Sequence, residues 1–307
     1  MTQARPGLLE VVQQRIQAAI DEDPFVRDPA YIQGQLPKFE RLLNYFRPHF
    51  SGFEHLPKSG PYLIVGNHSG GMYTPDAYAL LAAFWRNQGT ERELYAMGHN
   101  ILFASPIADW YRKIGIIPAD PRNAGRVLDR NAALLIYPGG DHESYRPFWE
   151  RNKIDFAGRK GFIRLAIQRR VPIVPVVCHG GHHSILVLSR GDKMAEKIGM
   201  GTVRVKIFPW QLAFPWGLVP GFFPFIPLPA DVNTTFCPAM TWPELGPEAA
   251  NDKVLMARCY DEVVGTMQKT LDHMVATLPS PLGRIKQRTR EVLERAPWHF
   301  EEKGLGG

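Results

Sequence analysis

The chain has 307 residues, 45% of them hydrophobic and 21% charged, a composition that excludes a disordered or low-complexity protein and allows a sizeable core. Its formal net charge of +6 favours an anionic partner, whether a nucleic acid, an anionic bilayer or a phosphate-bearing substrate. Three widely spaced cysteines without a Cys-x-x-Cys pair support neither a disulfide framework nor a zinc knuckle, so we expect a reducing, cytoplasmic setting.

The predicted elements begin with helices and continue as alternating strands and helices. Helices are expected at residues 7–20 and 38–48. Strands are then expected at Tyr62–Val65, Leu94–Met97, Ala133–Tyr137, Ile173–Cys178 and Val203–Phe208, and helices at about 75–87, 122–130, 160–169 and 247–277. This order predicts an α/β fold: a mostly parallel central sheet flanked by helices, with an N-terminal helical segment and C-terminal helices.

The first segment that carries chemistry follows the predicted strand Tyr62–Val65. Residues 66–76 read Gly-Asn-His-Ser-Gly-Gly-Met-Tyr-Thr-Pro-Asp, and the Thr-Pro pair is a typical helix start. A neutral imidazole can accept a proton from an attacking hydroxyl when a carboxylate holds its other ring nitrogen. His68 and Asp76 are therefore either a base with its orienting carboxylate, or a loop histidine and a carboxylate that interacts only with the helix dipole.

The second such segment follows the predicted strand Ala133–Tyr137. Residues 137–144 read Tyr-Pro-Gly-Gly-Asp-His-Glu-Ser. Gly139 and Gly140 would let backbone amides approach an oxyanion or a phosphate, although Pro-Gly-Gly also forms ordinary turns. Glu143 is expected beside the same cleft, because the active sites of such sheets lie beyond the carboxyl ends of the strands.

Four blocks in one order resemble the glycerolipid acyltransferase superfamily. They are Asn-His-Ser-Gly-Gly at 67–71 with Asp76, Tyr-Pro-Gly-Gly-Asp-His-Glu at 137–143, Gly-Arg-Lys-Gly-Phe-Ile-Arg-Leu-Ala at 158–166, and Val-Pro-Ile-Val-Pro-Val at 171–176. Their spacing is similar to that of the lysophosphatidic acid acyltransferases, and two pieces are similar to the diacylglycerol acyltransferase branch. The resemblance covers about residues 50–230. It implies direct acyl transfer without a covalent intermediate, with His68 as general base and Asp76 orienting it.

Two departures from the family pattern bear on the substrate. The usual first block is His-x4-Asp, whereas seven residues separate His68 from Asp76, so their pairing requires the Gly70-Gly71 loop to bulge. The usual third block is Phe-Pro-Glu-Gly-Thr-Arg, but here Gly139 replaces the glutamate and His142 replaces the phosphate-binding arginine. The second departure argues against lysophosphatidic acid as the acceptor.

Basic residues near predicted helix starts are further candidates for binding substrate. Arg122 is the nearest match to the arginine of the family's Gly-x-x-Phe-Ile-Asp-Arg block, displaced by one position, and is either a phosphate ligand or an exposed helix-start arginine. Arg159 and Lys160 precede helical amides that favour anions, and otherwise form a solvated basic turn. The predicted substrate-binding residues are Asn67, Gly139, Gly140, His142, Glu143, Arg122, Arg159 and Lys160.

The function implied is that of an O-acyltransferase of phospholipid and glycerolipid biosynthesis. It would move a fatty acyl group from acyl-CoA, a co-substrate, to a glycerolipid or lysophospholipid hydroxyl, with no cofactor. The alternative is an acyl-thioester or ester hydrolase whose base activates water; no Gly-x-Ser-x-Gly elbow indicates a serine nucleophile. We predict no metal, because Cys178–His183 has no second ligand cluster with zinc spacing, and no nucleic acid partner.

The resemblance also suggests how the chain is organised. Residues 1–50 are predicted as an N-terminal amphipathic helical segment, residues 51–240 as the acyltransferase catalytic domain, and residues 241–307 as C-terminal helices packing on that domain. The amphipathic start lacks the continuous apolar core of a signal peptide, so secretion is not expected.

Membrane attachment is predicted to be peripheral, at the cytoplasmic face of the cell membrane. The uncharged segment Gln211–Ala230 is about long enough to span a bilayer, but its prolines prevent a regular transmembrane helix. The aromatic residues of Phe208–Pro229 either form an acyl-chain groove, enter the membrane interface or pack on the core. With the amphipathic start and a basic segment at residues 283–295, this segment predicts contact with an anionic surface.

Overall fold

A computed structural model describes residues 8–203 and 205–278 of the chain. The strands are β1 (His49–Ser51), β2 (Tyr62–Gly66), β3 (Leu94–Gly98), β4 (Ile116–Pro118), β5 (Ala133–Ile136), β6 (Ile173–His179), β7 (Leu186–Ser189), β8 (Trp210–Ala213), β9 (Gly217–Pro220) and β10 (Asn233–Phe236). The α-helices are α1 (Leu8–Asp21), α2 (Pro29–Leu43), α3 (Pro75–Gln88), α4 (Ala108–Lys113), α5 (Pro121–Asp129), α6 (Gly140–Ser144), α7 (Gly161–Arg169), α8 (Asp192–Lys197) and α9 (Lys253–Thr277).

The central sheet has seven strands in the order β1-β10-β6-β2-β5-β3-β4. Strands β6, β2, β5, β3 and β4 are parallel to one another, whereas β10 pairs antiparallel with β6. The predicted α/β fold, with a mostly parallel sheet between helices, is confirmed. Because β2 lies between β5 and β6, the loops that follow these three strands are neighbours at one edge of the sheet.

Strand β2 shows how the sheet is buried on both faces. All five of its residues are buried, as expected for a central parallel strand. Leu63 and Val65 contribute to the core cluster that includes residues of α5, α7 and α9. Tyr62 and Ile64 contribute to a second cluster on the other face, with residues of α2 and α3. The strand that leads to His68 is therefore held from both sides.

The predicted helix at 38–48 is wrong in its bounds, since α2 runs from Pro29 to Leu43. The helix begins earlier because the Asp28 side chain accepts a hydrogen bond from the Tyr31 N–H, which caps the helix, and Pro29 occupies its first turn. Pro37 lies inside the helix without ending it. The predicted helix at 247–277 is a 3-10 turn, Pro247–Asn251, followed by α9.

The predicted strand Val203–Phe208 is also wrong. Met200–Val203 is a 3-10 helix, and residues 205–209 have no regular secondary structure. Val205 and Ile207 are buried on alternate positions, which imitates a strand, but the Lys206 N–H donates to the Asp141 side chain instead of to a neighbouring strand. The predicted basic segment at 283–295 lies outside the described residues.

A second, three-stranded antiparallel sheet has the order β7-β8-β9. Strands β8 and β9 form a hairpin with a tight cross-strand register, in which Leu212 faces Leu218 and Gln211 faces Val219. The inner side chains Ala213 and Val219 join a small core cluster with Tyr145. Among the described residues, no helix combines the length and apolarity needed to cross a bilayer.

Candidate active site

Three loops meet at the carboxyl edge of the central sheet. His68 lies two residues beyond β2, residues 137–143 follow β5, and the turn Gly180–His183 follows β6. The turn after β6 packs directly on the first loop, since a side-chain carbon added at Gly181 would lie 2.0 Å from Ser69 Oγ. The edge predicted from the sequence therefore brings these segments together.

His68 and Asp76 are joined by a hydrogen bond. The distance from His68 Nδ1 to Asp76 Oδ2 is 2.9 Å, and the Ser69 N–H donates to the same carboxylate oxygen at 2.8 Å. The seven intervening residues form a bulge that turns at Gly70 (φ 85°) and Gly71 (φ 60°), a conformation that favours glycine. Asp76 is 1% exposed at the start of α3, so its carboxylate is fixed relative to the ring.

The His68 ring is prepared to accept a proton at Nε2. A proton on Nδ1 that is donated to Asp76 leaves the lone pair of the neutral ring on Nε2. Burial by itself lowers the pKa of His68, but the charges of Asp76, Glu143 and Asp141 outweigh it and raise that pKa above its ordinary value. Tyr137 stacks on the ring at 4.4 Å between centroids, which fixes the ring plane.

Glu143 lies beneath the loop rather than on an open surface. It is 1% exposed, and its Oε2 accepts the His68 N–H at 3.0 Å. Its Oε1 accepts from Arg146 Nη2 at 3.2 Å and from the Asp155 N–H at 3.3 Å. Burial raises the pKa of Glu143 to about 7, against the opposing effect of the Arg146 charge. This geometry supports positioning of His68 more than the predicted contact with substrate.

Gly139 leaves the space that the Glu143 carboxylate fills. A side-chain carbon at position 139 would lie 2.4 Å from Glu143 Oε2. The glutamate that the family pattern has at this position is absent, but a carboxylate from four residues further along the chain occupies the place toward which residue 139 points. Arg146 was not singled out from the sequence, although its i,i+3 spacing from Glu143 is that of a helical ion pair.

The remaining polar groups of this loop bond mainly to the protein itself. Arg159 Nη1 donates to the carbonyls of Pro138 and Gly139 at 3.0 and 2.8 Å, which holds the turn. The Gly140 N–H donates to the Tyr137 carbonyl at 3.0 Å, so it is not free for an oxyanion. His142 Nε2 lies 3.2 Å from Asp155 Oδ2.

Asn67, Arg122 and Lys160 each have contacts within the protein. The Asn67 side chain donates to the Cys178 carbonyl at 2.8 Å and accepts the Cys178 N–H at 2.7 Å, so it ties the loop to β6. Arg122 is exposed and bonds to Asp120 at 3.0 Å. It follows β4, three strand spacings or roughly 14 Å from β2. Lys160 Nζ lies 5.8 Å from the Tyr260 ring centroid.

The end of β6 and the turn after it contribute buried groups, and Cys178 is not prepared as a nucleophile. Burial raises the pKa of the Cys178 thiol to about 12, so a thiolate is strongly disfavoured there. Burial also lowers the pKa of His182 to about 3, which keeps that ring neutral beside the site. Within the described part of the chain, no group of three or more His, Cys, Asp or Glu side chains is arranged to hold a metal ion.

Comparison with known proteins bears on this edge of the sheet. Residues 47–179, which include His68, Asp76 and Glu143, match the family model described as acyltransferase. This segment resembles an acyltransferase domain of the glycerolipid acyltransferase superfamily. The family resemblance drawn from the four sequence blocks is thereby confirmed.

The similarity to some known proteins extends beyond residues 47–179. An uncharacterized protein of Mycobacterium tuberculosis is 27% identical over 269 residues, which cover 86% of this chain and 72% of that protein. Phytyl ester synthase 2 of Arabidopsis thaliana is 31% identical over 134 residues, which cover 40% of this chain and 18% of the plant protein. The crystal structure of the LPA acyltransferase PlsC of Thermotoga maritima aligns with a TM-score of 0.51 at 16% identity, over 82% of this chain and 83% of that one, and shows a common fold.

Proposed function

We propose that this acyltransferase moves a fatty acyl group from acyl-CoA to a lipid hydroxyl, with His68 as general base and Asp76 as the carboxylate that orients it. The observation that carries the proposal is the 2.9 Å hydrogen bond between His68 Nδ1 and the buried carboxylate of Asp76. Both residues lie within the segment that matches the acyltransferase family model. This bond supports a ring with its basic nitrogen turned away from Asp76.

The proposed reaction needs no covalent enzyme intermediate. His68 Nε2 accepts the proton of the acceptor hydroxyl as the oxygen attacks the thioester carbonyl, and the carbon–sulfur bond breaks as CoA leaves. The imidazolium then returns the proton to the thiolate of CoA. Asp76 and Glu143 stabilise the transient positive charge, since both lie against His68. The raised pKa of Cys178 disfavours a thiol nucleophile at this edge.

The acceptor that fits best is a lipid alcohol without a phosphate beside its hydroxyl. The cations of the loop after β5 have partners inside the protein: Arg159 with loop carbonyls and Arg146 with Glu143. His142, which replaces the arginine of the family pattern, faces Asp155. A relative whose name specifies synthesis of a phytyl ester is consistent with a neutral alcohol. Diacylglycerol, monoacylglycerol and long-chain alcohols are the proposed acceptors, ahead of lysophospholipids.

The decisive measurement is the release of free CoA from palmitoyl-CoA by the purified full chain. Release is measured with lysophospholipids, monoacylglycerol, diacylglycerol or a long-chain alcohol, and with no acceptor. We expect release to rise with a neutral acceptor and to fall by about a thousandfold or more in His68→Ala. The matched control is His55→Ala, since His55 is a half-buried histidine that bonds to the Phe236 carbonyl, away from the site.

The outcomes separate the competing mechanisms. Release that is indifferent to every acceptor would replace acyl transfer by thioester hydrolysis with the same base. An active His68→Ala variant would overturn the assigned base. Stimulation only by lysophospholipids would overturn the preference for a neutral alcohol and leave the transfer reaction intact.

A further inference from the structure

The β8–β9 hairpin turns apolar side chains outward. Phe214, Trp216 and Leu218 are 62%, 59% and 56% exposed, and Leu212 is 43% exposed. With Trp210 these residues form what we call the outer hairpin face. The outward side chains of a strand that faces water are usually polar, whereas those of the outer hairpin face are apolar. Exposed apolar side chains that adjoin one another mark an interaction surface rather than a tolerated scatter.

This hairpin lacks charge over an unusual length. No charged residue occurs between Lys206 and Asp231, so nothing on the outer hairpin face would have to leave water as an ion. A second copy or a soluble partner would usually be met by a polar rim, whereas tryptophan and phenylalanine without charge are typical of segments that enter the bilayer interface.

The backbone of the hairpin is also prepared for low polarity. Six prolines between residues 207 and 230 remove N–H donors, which would otherwise be costly to transfer into lipid. The Ile226 N–H donates to the Phe214 carbonyl at 2.9 Å, and Trp216 Nε1 donates to the Pro224 carbonyl at 2.8 Å. The exposed tryptophan therefore carries its polar atom already bonded, which lowers the cost of deeper insertion.

The inner side of the hairpin is joined to the loop that carries His68. The Tyr73 hydroxyl bonds to the Phe225 carbonyl, and the two rings pack edge to face at 4.9 Å. Tyr145, just beyond Glu143, packs against Phe222 in the same way at 5.3 Å. Met72 on the His68 loop is 43% exposed. Phe225 shares a core cluster with Ala213 and Val219 of the hairpin, so the hairpin packs beside the reacting loop.

We infer that the outer hairpin face inserts into the lipid bilayer and holds the site at the membrane surface, where a lipid hydroxyl resides. The inference rests on the proposed function for its acceptor. It assigns the insertion to the uncharged hairpin rather than to α1, since the apolar face of α1, with Ile16, Ala19 and Ile20, is buried against the protein. The sequence predicted a membrane contact for α1, but these apolar side chains of α1 already pack against the protein.

The test is flotation of the full chain with vesicles of phosphatidylcholine, with and without phosphatidylglycerol. We expect binding to both, and Leu212→Ser with Leu218→Ser to weaken it at least about tenfold, because two opposed apolar side chains no longer leave water. Val254→Ser, which truncates a 77% exposed side chain on α9, is the matched control and should bind as the unaltered chain does.

A second measurement remains informative if the double variant does not fold. Brominated phosphatidylcholine should quench tryptophan fluorescence in the unaltered chain, and quenching should be lost in Trp210→Phe with Trp216→Phe. Binding only to anionic vesicles, equal binding by the double variant, or dimerisation through Leu212 and Leu218 would overturn the inference. Because flotation requires no acyl transfer, a chain that floats without releasing CoA overturns only the proposed function, and one that transfers without floating overturns only the insertion.

Discussion

The loop after β2 and the hairpin of the second sheet place polar and apolar side chains in opposite ways. In the loop, Asp76 and Glu143 are 1% exposed, and three of their four carboxylate oxygens accept hydrogen bonds: Asp76 Oδ2 and both oxygens of Glu143. In the hairpin, Phe214 and Trp216 remain mostly exposed, although the Phe223 ring packs edge to face against Trp216. Most of the buried charge is compensated inside the first region, whereas the described part of the chain leaves the apolar surface of the second region exposed.

The difference shows which region is stabilised by contacts within the protein and which region would gain stability from a contact outside it. A buried carboxylate without partners would be costly, and the loop supplies those partners. Transfer of an exposed indole from water into lipid is favourable, because its apolar surface leaves water. Disrupting the loop should therefore impair chemistry without affecting membrane binding, and disrupting the hairpin should impair membrane binding first.

The largest expected effect on the loop comes from Asp76→Asn. The amide can still accept the Ser69 N–H, but it lacks the negative charge that stabilises the protonated His68 ring, so we expect transfer to fall by about a thousandfold or more. In the unaltered chain, transfer should rise with pH through the raised pKa of His68, because the neutral ring is the base. Without the Asp76 charge, burial dominates and lowers that pKa, so the rise should move to lower pH.

A pH–rate profile with vesicle flotation measures both regions in the same variant. Asp28→Asn is the matched control, because Asp28 caps α2 far from the site and asparagine caps equally well. An unshifted pH profile in Asp76→Asn would contradict the electrostatic role of Asp76. Loss of flotation in that variant would show that the two regions are not separable.

A smaller effect is expected from Gly139→Ala. The added methyl group would lie 2.4 Å from Glu143 Oε2, so the carboxylate must move away from the His68 N–H. We expect a loss of about 1–3 kcal/mol in the free energy of unfolding, as for other overpacked sites, together with slower transfer. Denaturant unfolding and the CoA-release assay check the two consequences.

Gly161→Ala is the matched control for that variant. Gly161 is the first residue of α7, and a side-chain carbon added there would have no atom within 4 Å. The free energy of unfolding of this variant should be unchanged or raised by up to about 1 kcal/mol. If both glycine variants behave alike, the close approach between residue 139 and Glu143 does not govern the loop.

The smallest effect is expected from Arg122→Ala. Its guanidinium is exposed and bonded to Asp120, so we expect kcat and KM to change by less than about twofold, as is usual for an exposed ion pair. Steady-state kinetics with palmitoyl-CoA check this, and a large rise in KM for the donor would restore Arg122 as a phosphate ligand.

The strands beside the site could be predicted because their signals are local. Strands β2, β5 and β6 are short apolar runs that end at Gly66, shortly before Pro138 and at His179, so the sequence places His68 and the Pro-Gly-Gly segment at strand ends. The 2.9 Å contact between His68 and Asp76 follows from a helix start and two glycines that permit the bulge.

Other features depend on partners distant in the chain. Residues 205–208 alternate like a strand, but their hydrogen bonds go to Asp141 and Arg190, so no ladder forms. The role of Glu143 as a support for His68 depends on Arg146 and the Asp155 N–H, which only the folded chain brings to it. Periodicity reports which face a side chain takes, not what it meets there.

The two hydrogen bonds between Asn67 and Cys178 help to fix the His68 loop when the chain folds, before any substrate binds. They reproduce with a side chain the paired donor and acceptor of a sheet ladder, one residue beyond the point where β2 ends at Gly66. The loop is thus fastened just before His68 and again at Asp76 on α3. The entropy of fixing the base is lost during folding, so an arriving acceptor meets a ring that is already in place.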